Sequence, residues 1–392
     1  MAKHKLAILT SHPIQYQAPL FQLLAKQPEV DLTVYFCWDF GIKKESLDAE
    51  FGKKIKWDLP LLDGYRYKLL NNFSLRPSDR FFGQINPGII KELKKNNYNL
   101  IFIHGWNSVT NCLAIFSAWL FKIPIAIHGD NCFARELTKP PLKRKIKKII
   151  LSTIFKRVNF FLYIGKEDRD FYKYHKVADD KLIFMPFAVD NKRFFAQSEL
   201  LDSQSLRIKN GLKDEVVILF SGKLVERKRP FDLLKAYHQL VNVSQQPTVL
   251  IFVGDGVLRP ELEKYVRKNN IETVRFAGFK NQTELPAFYK IADIFVIPSS
   301  HEYWGLVVNE AMCFGLPIVA SDTVGCIPDL VEENQNGLVY PTGDIDRLAE
   351  ILGVLINSPQ KRAVFGGKSK EIIKNYSFDK DMEAILSVLK ND

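Results

Sequence analysis

The 392-residue chain has no apolar run of 18 residues, so no segment reads as a membrane-spanning helix. Its first residues are not expected to act as a signal peptide. The apolar run in MAKHKLAILTSHPIQYQ is short, and no small-residue cleavage site follows it. The five cysteines, Cys37, Cys112, Cys132, Cys313 and Cys326, are odd in number, and none stands in a C-x-x-C pair. A disulfide framework and a zinc site are disfavoured, and a reducing cytoplasm is the expected compartment. No G-x-G-x-x-G opens either half, which argues against a dinucleotide oxidoreductase. Low-complexity tracts and short-period repeats are absent too.

What is present is a length suited to two domains and a lopsided charge. The net charge is +11. Residues 1–185 hold 30 Lys/Arg against 17 Asp/Glu, a net +13, and the remainder holds 25 against 27, a net −2. The basic excess therefore lies in the first half and suits an anionic partner there. A nucleic-acid or membrane binder is one reading of that half. No nucleic-acid module accompanies the charge, and aromatics are not interleaved with the basic run, so nucleic acid is not an expected partner.

Short apolar runs alternate with helical patterns in both halves. They lie at 5–11, 31–37, 99–105, 123–129 and 158–165, then at 215–222, 248–256, 273–279, 294–300 and 317–321. Runs buried on both faces and separated by helices predict parallel sheets covered on both sides. The expected fold is α/β, with two Rossmann-like domains. The expected boundaries are 1–190, 191–375 and a last helical segment, 376–392, free to pack on either domain.

The stretch HEYWGLVVNEAMCFGLPIVAS (301–321) follows the strand IFVIPSS and so sits at the ligand edge of a parallel sheet. Glu302 falls in the loop and Glu310 inside the helix that begins near Leu306. The amides of Gly305, Leu306 and Val307 open that helix, a place suited to phosphate, and Gly305 permits close approach. A carboxylate behind such a site suits ribose hydroxyls. The turn SGKLVERKRP (221–230) brings Lys223, Arg227, Lys228 and Arg229 to a second strand end, as a diphosphate requires. Gly254 and Gly256 mark a third.

GKLVERKRP, FVGDGVLRPEL, FAGF…ELPAFYKIADIFVIPS and EYWGLVVNEAMCFGLPIVASDTVGCIPDLV…NGLVYPTGD cover most of residues 215–345. Together they resemble the family 4 retaining glycosyltransferases of the GT-B fold, whose acid pair matches Glu302-x7-Glu310. The resemblance implies two Rossmann-like domains facing across a cleft and an EC 2.4 hexosyl-type enzyme. It implies a nucleoside-diphosphate sugar donor, UDP first with GDP and ADP as alternatives, and no required cofactor or metal. The acceptor is a glycan or lipid-linked hydroxyl, in cell-envelope polysaccharide or glycolipid synthesis. Glu310 would hold the ribose, Glu302 would lie by the donor sugar, and Gly305, Leu306 and Val307 would cradle the diphosphate. Lys228 matches a diphosphate lysine, while Lys223 stands where the family usually has arginine. Gly254 and Phe279 complete the donor side, with Phe279 near the base.

In the first half IPIAIHGD matches the family strand that ends in a histidine, here His128, at the reacting sugar. SHPIQYQAP (11–19) replaces the family's glycine-rich first loop. It offers His12, Gln15 and Tyr16 to the acceptor or a phosphate, or forms a rigid Pro-bounded turn. The loops 39–58, 76–88 and 104–108 are expected to select the acceptor. A nucleotide-sugar epimerase of the same fold is the alternative enzyme. Segment 139–160 has eight cations among residues 139–157 and no acid. Leu142, Ile146, Ile149 or Ile150, Thr153 and Ile154 recur at helical spacing. It reads as an amphipathic helix, either lying on an anionic membrane from the cytoplasmic side or covering the sheet with its apolar face.

Overall fold

A computed structural model describes residues 3–40, 46–48, 53–55, 57–241, 244 and 246–390. The chain forms two compact units. Unit 1 comprises Met1–Ser46, Leu59–Phe187 and Phe378–Asp392; unit 2 comprises Leu47–Asp58 and Ala188–Ser377.

In chain order the strands of the first half are β1 (His4–Thr10), β2 (Val30–Phe36), β3 (Ser46–Asp48), β4 (Lys53–Ile55), β5 (Tyr67–Leu69), β6 (Leu100–His104), β7 (Ile125–Gly129), β8 (Phe160–Tyr163) and β9 (Leu182–Phe184). Seven of them form the sheet of unit 1 in the order β5-β2-β1-β6-β7-β8-β9, all parallel. β3 and β4 form a separate two-stranded ladder. Side chains such as Ala7, Leu9, Ile101, Ile103, Ile125 and Ile127 are buried in one core cluster. Burial on both faces explains why these strands read as unbroken apolar runs.

Unit 2 has β10 (Val216–Ser221), β11 (Thr248–Val253), β12 (Val274–Gly278), β13 (Ile294–Ile297), β14 (Ile318–Ser321) and β15 (Gly337–Tyr340). They form a parallel sheet ordered β12-β11-β10-β13-β14-β15. The order reverses between β10 and β13. A crevice therefore opens outside the carboxyl ends of these two strands, where open α/β sheets take ligands. In unit 1 the same reversal falls between β1 and β6.

All ten strands expected from apolar runs are present. β5, β9 and β15, three short edge strands, were not foreseen.

The basic segment is the helix Pro141–Phe155. Its inward side is Leu151 and Phe155, with Ile154 half-buried, while Leu142, Ile146, Ile149 and Ile150 are all exposed. The expected apolar face of Leu142, Ile146 and Ile149 or Ile150 therefore does not cover the sheet. The reason is local. Arg144, Lys147 and Lys148 turn partly inward instead, where the Lys147 ammonium lies 2.6 Å from buried Glu136 and 5.0 Å from the Trp106 and Phe171 ring centroids. Among the described residues no helix is long and apolar enough to cross a membrane.

Candidate functional site in unit 2

Three glycines let the strand-end loops of unit 2 approach one another. A Cβ on Gly254 (φ 129°) would lie 1.8 Å from the Gly222 carbonyl oxygen, and one on Gly325 would lie 1.9 Å from that of Tyr303. Gly305, at φ 105°, is the left-handed residue that opens the helix Leu306–Cys313, a conformation that favours glycine. Backbone bonds fasten the loops together. Gly254 N donates to Gly278 O (2.8 Å), Leu224 N to Asp255 O (2.9 Å), Ser300 N to Arg227 O (2.8 Å) and Cys326 N to Trp304 O (3.0 Å).

The loop after β10 makes a 3-10 turn, Glu226–Lys228. This places the Lys228 ammonium on the Glu302 carboxylate, with Arg227 3.3 Å from the same oxygen. Burial holds the Lys228 pKa below its ordinary value. Glu302 opposes that shift, and the nearby cations Arg227 and Lys223 add to it. Lys223 therefore belongs to the same cluster. One carboxylate among three cations leaves an excess of positive charge beside the amides of the helix Leu306–Cys313.

Glu310 is completely buried. Tyr289 Oη donates to its Oε2 at 2.7 Å, and Gln282 Nε2 donates to its Oε1 at 3.3 Å. The Gln282 amide is oriented from behind by Arg193, whose Nη2 reaches Gln282 Oε1 at 2.7 Å and whose Nη1 reaches the Gln282 carbonyl at 3.1 Å. Guanidinium only donates, so Gln282 Oε1 faces Arg193 and the amide nitrogen faces Glu310. On the other side of this turn Thr283 gives both its backbone N–H (3.0 Å) and its hydroxyl (2.5 Å) to the Asp58 carboxylate. Phe279 meets Trp57, ring centroids 6.4 Å apart.

Unit 2 thus gathers Lys223, Lys228, Glu302, Gly305, Leu306 and Val307 at one edge. Glu310 lies deeper in the same helix, and Gly254 and Phe279 stand on the adjoining strand ends. Sequence reasoning missed Gln282, Tyr289 and Arg193. Gln282 lies in the polar run KNQTE, which reads as an ordinary turn, and Tyr289, on the helix Leu285–Ile291, reads from its type alone as an ordinary packing aromatic.

His128, His12, Gln15 and Tyr16 belong to unit 1. His128 ends β7 beside its register partner His104 on β6. The two rings stand edge to face, centroids 5.3 Å apart. Burial lowers the His128 pKa to about 4, partly offset by the Met185 carbonyl at 3.3 Å from Nε2. His104 is lowered further by burial and by His128. Both rings are therefore neutral at pH 7. His12, in the loop after β1, is likewise lowered to about 4 by burial, with Asp79 opposing. It packs against Trp38 and Phe40. Gln15 is buried and Tyr16 half-buried. His104, the first residue of the expected acceptor loop 104–108, ends β6, with Gln17 3.3 Å from its Nδ1. Most of loop 39–58 lies outside the described residues.

Residues 202–372 match the family described as "Glycosyl transferases group 1". The chain is 27% identical over 271 residues to an uncharacterized glycosyltransferase of Methanocaldococcus jannaschii, covering 67% of this chain and 74% of that one. It is 28% identical to the UDP-Gal:alpha-D-GlcNAc-diphosphoundecaprenol alpha-1,3-galactosyltransferase of Escherichia coli, over 67% and 68% of the two chains. Two further glycosyltransferase relatives are spanned over 37% and 51% of their lengths. Among solved structures, Anabaena HepE in complex with UDP superposes with a TM-score of 0.74 at 18% identity, over 98% of this chain and 99% of that one. Residues 202–372 are therefore similar to the glycosyl transferases group 1 family, in a chain whose two parallel-sheet α/β units have the GT-B fold.

Proposed function

We propose that the protein is a retaining glycosyltransferase that moves a sugar from a nucleoside diphosphate, UDP first, to a hydroxyl of a glycan or lipid-linked acceptor. The observation that carries this reading is the grouping of Lys228, Lys223, Glu302 and the Leu306 helix terminus at the switch point of unit 2, with buried Glu310 behind it. The cations and helix amides stabilise the charge that grows on the departing diphosphate. Glu310 accepts from the ribose hydroxyls. Glu302 positions the donor sugar, and the leaving phosphate takes the proton of the attacking hydroxyl on the same face. Neutral His128 serves as a hydrogen-bonding group toward the sugar. UDP bound to a relative of the same fold and UDP-Gal in the name of another support the choice of base.

The basic helix Pro141–Phe155 supplies contact with an anionic membrane surface at the cytoplasmic face. Its exposed Leu142, Ile146, Ile149 and Ile150 stand beside Lys143 and Lys145, an interfacial pattern.

The test is thermal unfolding with UDP, GDP, ADP, TDP and CDP, on wild type and Glu310→Ala. A nucleotide at 100 times its Kd stabilises by about 2.7 kcal/mol. One nucleotide should shift the wild type and not the variant; no shift with any of them refutes the reading. Product analysis separates the epimerase alternative, which alters the sugar without an acceptor.

A further inference from the structure

Between β5 and the helix Gly88–Asn96, the chain of unit 1 exposes four large apolar side chains within ten residues. Phe73 is 67% exposed, Leu75 100%, Phe81 45% and Phe82 70%. Isolated exposed apolar residues are ordinary, but contiguous ones mark binding surfaces. They line a groove of about 1030 Å³ together with Arg76 and Arg80.

The loop is built to hold this shape. Asn72 Nδ2 donates to Gly83 O (2.9 Å) and Asn72 Oδ1 accepts from Ile85 N (2.9 Å). Ser74 Oγ donates to Phe82 O (2.7 Å), and Phe73 N donates to Ile85 O (2.8 Å). Below it, buried Asn86 donates to Cys37 O (2.9 Å) and Leu70 O (3.1 Å), tying the loop to the sheet. The apolar side chains are therefore presented by a fixed frame, not frayed from it. The loop also reaches the ligand edge of unit 1, because Asn86 at its end donates to Cys37 O and Cys37 N donates in turn to Ser11 O (2.9 Å), in the loop that follows β1.

The described residues that line the groove carry two cations, Arg76 and Arg80, and one carboxylate, Asp79, beside the apolar wall, so an occupant apolar along most of its length and anionic at one end complements it. A water-soluble glycan, even an anionic one, lacks the long apolar chain that would cover Phe73, Leu75, Phe81 and Phe82. We propose that this groove takes the hydrocarbon chain of an amphiphilic acceptor whose phosphate or diphosphate meets Arg76 and Arg80. The proposal rests on the glycosyltransferase reading above and narrows its acceptor to the lipid-linked class. The apolar wall is read by chain length and the arginines by charge.

The experiment is calorimetric titration of the UDP-saturated protein with farnesyl diphosphate and with isopentenyl diphosphate. UDP occupancy is measured first, in the same samples. Farnesyl diphosphate should bind at least tenfold tighter than isopentenyl diphosphate. The double variant Phe73→Ser/Phe82→Ser, altered at exposed positions that leave the core intact, should lose that gap. Arg76→Gln/Arg80→Gln should weaken both ligands and keep it. Equal affinity for the two chain lengths, or a gap that survives in the Phe73/Phe82 variant, overturns the proposal. Capture of wild type but not that variant by phosphatidylcholine vesicles, without a chain-length gap, assigns the groove to the membrane and also overturns it. Failure to bind UDP refutes the glycosyltransferase reading by itself, since the chain-length comparison can then be made on the free protein.

Discussion

The ammonium of Lys228 rests on the carboxylate of Glu302, with the two side chains 11% and 12% exposed. Neither group is deeply hydrated, so each depends on the other for compensation. Glu302→Gln removes the charge that opposes the burial penalty on Lys228. The lysine pKa, already below its ordinary value, falls further. A lysine whose folded pKa is below its unfolded one destabilises while the unfolded chain holds the extra proton, and the loss recedes as pH rises toward the unfolded value. The variant should lose roughly 3 kcal/mol near pH 7 and recover part of it near pH 10, as read by urea unfolding at both pH values. Its transfer activity should fall at least a hundredfold.

Tyr289→Phe deletes the 2.7 Å bond to Glu310 at almost unchanged volume. A hydrogen bond to a charged group contributes about 1.5–3 kcal/mol. Part of that loss should appear in stability and part in nucleotide affinity, because Glu310 loses a fixed orientation. Gln282→Met tests the other oxygen. A smaller loss is expected there, in keeping with the longer 3.3 Å contact. Calorimetric titration with UDP measures both.

Two glycines should behave in opposite ways. Gly254→Ala would drive a methyl group into the Gly222 carbonyl at a left-handed φ, and it should cost 3 kcal/mol or more, on the order of overpacking plus backbone strain. Gly367, in the helix Pro359–Ile373, has nothing within 4 Å of its ideal Cβ. Gly367→Ala should leave stability unchanged or raise it by about 0.5–1 kcal/mol. Melting temperatures of the two variants decide the matter.

His128 supplies a pH prediction. The unfolded chain binds this proton near the ordinary histidine value of 6.5 and the folded chain only near 4. Between those values the unfolded state holds more protons. The contribution to stability is therefore whole above pH 6.5 and is lost as pH falls toward 4. His12 and His175, both lowered to about 4, act in the same direction. His128→Phe should flatten part of that acid slope, and it should also lower activity at pH 7.5, where the wild-type ring is neutral.

If the helix Pro141–Phe155 meets an anionic membrane, wild type should co-sediment with phosphatidylglycerol vesicles at low salt and release as salt screens the attraction. Ile146→Ser/Ile149→Ser, both at exposed sites, should abolish sedimentation without changing the melting temperature. Retained sedimentation of that variant would place the contact elsewhere.

Strands buried on both faces were legible because short apolar runs, too brief for helices and bounded by turn residues, recur between helical patterns. The edge strands were not. β5 is only three residues, YKL, and Tyr67 and Lys68 are exposed, so no burial constrained their chemistry. At the site, the Glu302 and Glu310 spacing and the Lys223–Lys228 turn were readable, because the local chain itself brings them to strand ends. The support of Glu310 was not. Gln282 and Tyr289 reach Glu310 from outside its helix, Arg193 reaches Gln282 from 117 positions before Glu310, and only packing unites them. The basic helix shows the opposite failure. Helical spacing grouped its isoleucines onto one face, but not which face turned inward.

The larger segment of unit 2, Ala188–Ser377, departs from and returns to the rest of the chain at neighbouring points: Val189 and Ser377 are bridge partners in a parallel pairing. This segment is therefore an insertion with adjoining ends, since Phe378–Asp392 rejoins unit 1. Such a layout suits circular permutation and transplantation. Residues 188–377 form a cassette that another scaffold could accept at a single surface position, or whose ends a short peptide could join into a ring.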